Sequence, residues 1–333
     1  MPWLCIFIMD VPMRIAIFGT GGVGGYFGGR LAQAGEDVVF IARGAHLESI
    51  RDQGLRVESI AGNFSISPAS VEEDPHKVGP VDAVILAVKG CQVEAAAASM
   101  KPMIGPKTVV LPLLNGVDIP ARLSAVLGHG PVIGGLCRII ALRGGPGLIR
   151  HLGANPSLCF GELNNTRSAR VQNLQAAFTA AEGLTVTISS HIVADMWEKL
   201  LFVGPLGAVG AVSRVPVGLL RSVPETRAML RQAMQEVRNL AQARSIPLPA
   251  DVVDRAFAIV DRMAGKSTTS MQRDIMEGHH SELTDQVGVI VRLGIESGVA
   301  TPIHSVIYHS LLPQEMLARG EVSVTGQPDS RRK

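Results

Sequence analysis

Arg14-Ile15-Ala16-Ile17-Phe18-Gly19-Thr20-Gly21-Gly22-Val23-Gly24 is the stretch whose reading decides the fold. Its first half is a short apolar run of strand length, and its second half is G-x-G-x-x-G. The residues that follow, 26–34, have helical character, and Gly35 is placed to stop them. A glycine-rich turn that leaves a strand and opens a helix is the dinucleotide fingerprint. Gly19 permits the tight turn, Gly21 lets the backbone approach a pyrophosphate, and Gly24 lets helix and strand pack closely. The helix N-terminus adds free N–H groups and a partial positive charge. Gly19, Thr20, Gly21, Gly22, Val23 and Gly24 are therefore expected to bind the cofactor.

Working outward, residues 38–42, 81–88 and 108–114 are near-continuous apolar runs, as in strands buried on both faces. Helical stretches such as residues 92–100 alternate with them, which predicts an α/β fold with a doubly wound parallel sheet. Residues 132–142, 148–152 and 157–160 read as antiparallel strands appended to that sheet. A helix over 168–181 and a last strand over 185–189 follow, and then strand signals stop. Residues 195–203, 225–243, 250–263, 274–297 and 304–317 read as helices. The expected organisation is a Rossmann domain over 13–190 and a helical substrate and catalytic domain over 191–320. Residues 1–12 and 321–333 read as extensions. The apolar run from Trp3 to Met9 has no preceding Lys or Arg, and Asp10 and Pro12 stand where a cleavage site would be. An upstream extension or an alternative start before Met13 is expected rather than an export signal.

Composition excludes several function classes. The net charge of +2 gives no basic footprint for nucleic acid, and 4% aromatic residues leave little for base stacking. Cys5, Cys91, Cys137 and Cys159 have no C-x-x-C spacing, which argues against zinc or a disulfide framework and fits a reducing cytoplasm. No apolar run is long enough to span a membrane. At 333 residues the chain is long enough for two domains. Its oligomeric state stays open, a homodimer included.

An NAD enzyme usually ends its second strand with a carboxylate for the ribose hydroxyls. Here the acids Glu36 and Asp37 stand at the beginning of that strand, and its carboxyl end reads Ile41-Ala42-Arg43. An arginine there can pair with a 2′-phosphate that a carboxylate would repel, so NADP(H) is the expected cofactor and Arg43 its reader.

The glycine loop, Lys89 in Leu86-Ala87-Val88-Lys89, Asn115-Gly116, Trp197-Glu198-Lys199-Leu200-Leu201 and the run from Ser270 to Glu282 resemble the ketopantoate reductase (2-dehydropantoate 2-reductase) pattern in order and spacing. The likeness runs from about residue 13 to about residue 318. The resemblance implies a Rossmann domain with a helical C-terminal domain of the 6-phosphogluconate dehydrogenase type. It also implies reduction of a 2-oxo acid by NADPH in pantothenate biosynthesis. Hydride delivery leaves two tasks to the protein, polarising the ketone and delivering a proton to the forming alkoxide, and a lysine performs both. By resemblance that lysine is Lys199 and its partner carboxylate Glu282, while Ser270 hydrogen-bonds substrate and Asn115 contacts nicotinamide and substrate. Lys89 ends the preceding strand in the same crevice, where it could bind phosphate, ribose or a substrate carboxylate. His279 and His280 do not share a helix face and have no third ligand nearby, so no metal is expected.

The chain departs from the pattern at two substrate positions. Val203, four residues after Lys199, and Gly207 stand where the family carries asparagines. Two lost amides forfeit hydrogen bonds of about 0.5–1.5 kcal/mol each, so a more apolar substrate pocket is expected. Arg214 could replace one polar contact. The alternatives are a relative acting on a more apolar 2-oxo acid, a 3-hydroxy acid or opine dehydrogenase, and an NADP-binding sensor without turnover. The presence of both Lys199 and Glu282 speaks against the last.

Overall fold

The computed structural model describes residues 11–325, with the side chain of Ala154 left undescribed. Residues 1–10 and 326–333, which hold most of the two expected extensions, lie outside the described residues. Two compact units divide the chain. The first comprises Met1–Leu114 and Pro120–Ile192, and the second Asn115–Ile119 and Val193–Lys333.

The first unit runs β1 (Arg14–Phe18), α1 (Gly22–Gln33), β2 (Asp37–Ile41), α2 (Gly44–Gln53), β3 (Leu55–Ser59), β4 (Phe64–Ile66) and β5 (Ser70–Glu72). It continues through β6 (Val81–Leu86), α3 (Val93–Met100), β7 (Ile104–Pro112), α4 (Ile119–Leu127), β8 (Gly134–Gly145), β9 (Leu148–Gly161), α5 (Ala169–Ala180) and β10 (Thr185–Ile188). The main sheet has the order β5-β2-β1-β6-β7 with every neighbour parallel. Ile17 pairs with Phe40 on one side and Ile85 on the other, and all three are fully buried. That double burial is why these strands read as unbroken apolar runs. Strand order reverses about β1, so the glycine loop leaves the sheet at its topological switch point, where such folds bind ligands.

The antiparallel segments expected at the edge of this sheet form a second sheet instead. β8 pairs antiparallel along nearly all of β9, β3 pairs parallel with the first residues of β9, and β10 with its last. β9 is one strand where two were expected, running through Gly153 and Pro156. Neither β3 nor β10 pairs with residues 152–156, so the missing N–H of Pro156 disrupts no ladder on that side.

The second unit is helical: α6 (Ile192–Ser213), α7 (Val217–Ser222), α8 (Pro224–Ala243), α9 (Val252–Arg262), α10 (Ser270–Met276), α11 (Val289–Ser297) and α12 (Pro302–Ala318). Its core gathers Leu200, Leu201, Val209, Leu230, Val237, Phe257, Met271, Ile290 and their neighbours. α6 runs ten residues beyond the expected end at Val203, straight through Pro205. An interior proline costs about 3 kcal/mol. Buried Leu206, Ala208, Val209 and Ala211 beyond it offset that cost by packing into the core. The single helix expected over 274–297 is broken: α10 ends at Met276, Gly278 takes φ +73°, and a π-helical turn, Thr284–Gly288, leads into α11. Glu282 lies at the bend before that turn.

Candidate active site

The three fingerprint glycines meet distinct surroundings. Gly19 takes φ +101°, and a Cβ there would stand 2.8 Å from the Ala87 carbonyl oxygen. A Cβ on Gly24 would collide with the Gly19 carbonyl oxygen and lie 3.0 Å from Ile17 Cγ2, so α1 packs directly on β1. A Cβ on Gly21 would meet nothing within 4 Å. One glycine makes the turn, one makes the packing, and the middle one borders open space. α1 has no side-chain N-cap and no acidic residue in its first turn, which leaves its N–H groups available to an anion. The loop and helix start thus fit a dinucleotide pyrophosphate.

Thr20 between the first two glycines is buried and anchored twice. Its hydroxyl donates to the Ile41 carbonyl at 3.0 Å, and its own carbonyl meets His46 Nε2 at 2.7 Å. Burial lowers the pKa of the His46 ring, the charge of Arg143 lowers it further, and the Thr20 carbonyl opposes both. Val23 and Gly22 lie in the first turn of α1, with Gly22 against the backbone of β8 at Ala141. Arg43 is exposed directly beyond the carboxyl end of β2, as the N-cap of α2. The acids of β2 are engaged at its other end: Glu36 accepts the Met13 N–H at 2.6 Å, and Asp37 stands 3.8 Å from Arg14. Lys89 is exposed beyond the end of β6.

In the second unit α6 carries Lys199. Trp197, Leu200 and Leu201 turn into the core, while Lys199 is half-buried with Asp195 and Val203 one turn to either side on the same helix face. The carboxylate of Glu282 is fixed by two amides: Asn115 Nδ2 donates to Oε2 at 2.8 Å and Gln286 Nε2 to the same oxygen at 2.9 Å. Placement just ahead of a helical turn also suits a negative charge. Behind it, buried Glu315 of α12 accepts from Ser281 N at 3.1 Å and from Ser281 Oγ at 2.5 Å, and Arg319 Nε donates to it at 2.8 Å. Arg319 reaches on to Thr284 Oγ1 at 2.9 Å, so α12 clamps both flanks of Glu282.

The remaining expected substrate residues differ in their surroundings. Gly207 is buried, and a Cβ there would lie 2.7 Å from Met271 Cε and 3.0 Å from Thr269 Oγ1. Glycine at 207 is therefore a close approach of α6 to α10 and leaves no vacated pocket wall. Ser270 is exposed as the first residue of α10, and Thr269 supplies that helix's cap through the Gln272 N–H. Arg214 is exposed with φ +59° just past α6. His279 faces Glu277 and His280 faces Glu315, two different partners. Sequence reasoning missed Gln286, His46 and Glu315. A buried glutamine one helical turn after a carboxylate was a readable signal, whereas the other two act through residues distant in sequence.

Comparison with known proteins covers both units. The ketopantoate reductase PanE/ApbA family model matches residues 15–165, and the ketopantoate reductase PanE/ApbA C-terminal model matches 191–315. A 2-dehydropantoate 2-reductase of Mesorhizobium japonicum is 31% identical over 303 residues, spanning 85% of this chain and 91% of that protein. An uncharacterized oxidoreductase of Bacillus subtilis, YkpB, is 29% identical over 299 residues, spanning 90% of this chain and 98% of that protein. The crystal structure of a PanE/ApbA family ketopantoate reductase from Ralstonia eutropha is similar at a TM-score of 0.84 and 31% identity, covering 92% of this chain and 100% of that one. Similar in sequence and in fold over nearly its whole length, the chain belongs to the ketopantoate reductase PanE/ApbA family.

Proposed function

We propose that this chain reduces a 2-oxo acid to the 2-hydroxy acid with NADPH, the substrate being 2-dehydropantoate and the product pantoate of pantothenate biosynthesis. The observation that carries the reading is the Glu282 carboxylate, pinned through one oxygen by the Asn115 and Gln286 amides in the unit that also holds Lys199. Family membership over both units supports it.

The loop from Gly19 to Gly24 and the start of α1 hold the pyrophosphate, Arg43 the 2′-phosphate, and Lys89 the nearby phosphate or substrate carboxylate. Bound NADPH supplies a hydride to the carbonyl carbon. Lys199 points its ammonium at the ketone oxygen, offsets the growing negative charge and gives it a proton, which solvent restores. Glu282, held by one oxygen, orients Lys199 or the substrate with the other. Asn115 and Ser270 complete the substrate contacts. A cytoplasmic setting is in keeping with cysteines scattered along the chain without C-x-x-C spacing.

A second reading, a 2-oxo acid with a plain alkyl side chain, is favoured by Val203, half-buried on the Lys199 face one turn away. Steady-state NADPH oxidation against a panel of 2-oxo acids that includes 2-dehydropantoate separates the two. Oxidation with none of them would leave the sensor reading.

A further inference from the structure

We propose that His46 is a positioning residue for the dinucleotide, holding the Thr20–Gly21 peptide so that its N–H faces the phosphates. The inference rests on the cofactor reading above. His46 lies in the first turn of α2 and is 6% exposed. Its Nδ1 receives the Gly147 N–H at 2.9 Å. A backbone N–H can only donate, so Nδ1 carries no proton, and the ring proton sits on Nε2. Nε2 therefore donates to the Thr20 carbonyl at 2.7 Å. The partners themselves select the neutral imidazole and this tautomer.

The consequence for the loop follows from peptide geometry. The Thr20–Gly21 bond is trans, so its C=O and N–H lie in one plane and point in opposite directions. A carbonyl drawn to His46 turns the Gly21 N–H away from His46, on the loop whose middle glycine borders open space. The Thr20 hydroxyl bond to Ile41 secures the same residue from β2. Without the histidine this peptide is free to rotate and offer its carbonyl to the phosphates, which they repel. Arg43 caps the same helix, so one short segment aligns the groups that meet both ends of the adenylate half.

A second proton on Nδ1 would set two donors against each other and break the Gly147 contact. The glycine loop at 19–22 and the turn at 145–147 bring no ionisable side chain to the ring. Arg143 on β8 is the charge whose field reaches it, and that field also opposes protonation. Acid therefore releases the latch as the pH falls below the ordinary histidine range, and dinucleotide affinity falls with it.

Calorimetric titration of NADP⁺ into the full chain tests this with wild type, His46→Asn and His46→Gln, from about pH 8 to about pH 5.5. Asparagine keeps an acceptor at the Nδ1 position and loses the donor to Thr20, whereas glutamine places an amide N–H near Nε2. At the upper pH the asparagine variant should bind about tenfold more weakly and the glutamine variant within about twofold of wild type. As the pH falls, wild type should lose affinity relative to the glutamine variant. Their ratio cancels the titration of the 2′-phosphate itself. Thermal melts verify folding, and should the asparagine variant not fold, the ratio of the other two across pH decides alone. A folded asparagine variant binding like wild type, or a ratio flat with pH, overturns the inference while the cofactor reading stands. Wild type that binds neither NADP⁺ nor NAD⁺ overturns both.

Discussion

Asn115 and Glu282, separated by 167 positions in the chain, meet through a 2.8 Å bond from amide to carboxylate. The oxygen that accepts it also accepts the Gln286 amide, so the carboxyl plane is held from two directions. Asn115→Ala should therefore loosen Glu282 without removing it. Turnover should fall by about ten- to a hundredfold, in line with one lost hydrogen bond to a charged group. Single-turnover kinetics provides the check, and an Asn115→Ala enzyme with unaltered turnover would show that the bond plays no part in the chemistry.

Lys199→Ala removes the proposed proton donor. Turnover should drop by roughly 10²–10⁴-fold, the usual contribution of positioned acid catalysis. NADPH affinity should stay nearly intact, because the cofactor loop belongs to the first unit. Glu282→Ala should also be damaging, and the double variant should lose less than the product of the single losses if the two act together. A folded Lys199→Ala protein that reduces substrate within tenfold of wild type refutes the assignment.

Arg43→Asp should reverse the cofactor preference. The side chain beyond β2 is exposed and makes no cap hydrogen bond to α2, so the effect should fall on binding. NADPH affinity should collapse while NADH affinity changes little, since only the former carries the 2′-phosphate. Equal losses for both, or a wild type that prefers NADH, would reassign the residue.

Val203→Asn and Gly207→Asn should behave differently although both restore a family residue. At the half-buried position 203 an amide should be accommodated and should raise use of 2-dehydropantoate over alkyl 2-oxo acids. At 207 the side chain must displace Met271 and Thr269 from a filled space, and overpacking should cost about 1–3 kcal/mol. Urea unfolding at constant m-value reads the difference.

Glu315→Gln should destabilise the second unit. The Glu315 side chain is 1% exposed and Arg319 16%, so neutralising one leaves the other charge half paired. Loss of one partner in such a pair costs on the order of 3–5 kcal/mol. Turnover should fall as well, because Ser281 beside Glu282 loses its carboxylate anchor and Arg319, which holds Thr284, loses its partner.

Acid stability of the first unit should depend on Glu162. Hydrogen bonds from Arg170, with a further one from Ser168, hold its carboxyl below the usual glutamate range against the opposing effect of burial. A carboxylate with a depressed folded pKa contributes stability that is complete above its unfolded value and lost as pH falls through the folded one. Melting temperature should therefore decline through the acid range in wild type and decline less in Glu162→Gln. Parallel curves would place the acid sensitivity elsewhere.

Much of the site was legible because it is written locally. A strand, three spaced glycines and a helix are neighbours in sequence, and each glycine's role follows from backbone sterics alone. Lys199 was singled out by its resemblance to the family pattern, among Trp197, Leu200, Leu201 and Phe202. The course of α6 was not. Local propensity ends a helix at Gly204-Pro205, whereas the core formed with distant helices carries it to Ser213. Glu282 likewise reads as part of a helix until the left-handed Gly278 and the π-helical turn place it at a bend.

By itself the sequence determined the main strands of the parallel sheet, the dinucleotide loop, and the residue types available for reduction, since these depend on periodicity, turn sterics and side-chain chemistry. Tertiary structure alone decided the partners. It drew β3, β8, β9 and β10 into a second sheet, brought the Asn115 and Gln286 amides to one oxygen of Glu282, and set His46 between Thr20 and Gly147. Apart from Gln286, four residues from Glu282, and the β8–β9 hairpin, those choices join groups dozens to more than a hundred residues apart, where the entropy of closing the loop is overcome only by burial of the whole core. No local pattern records that balance, because every residue of the unit contributes to it.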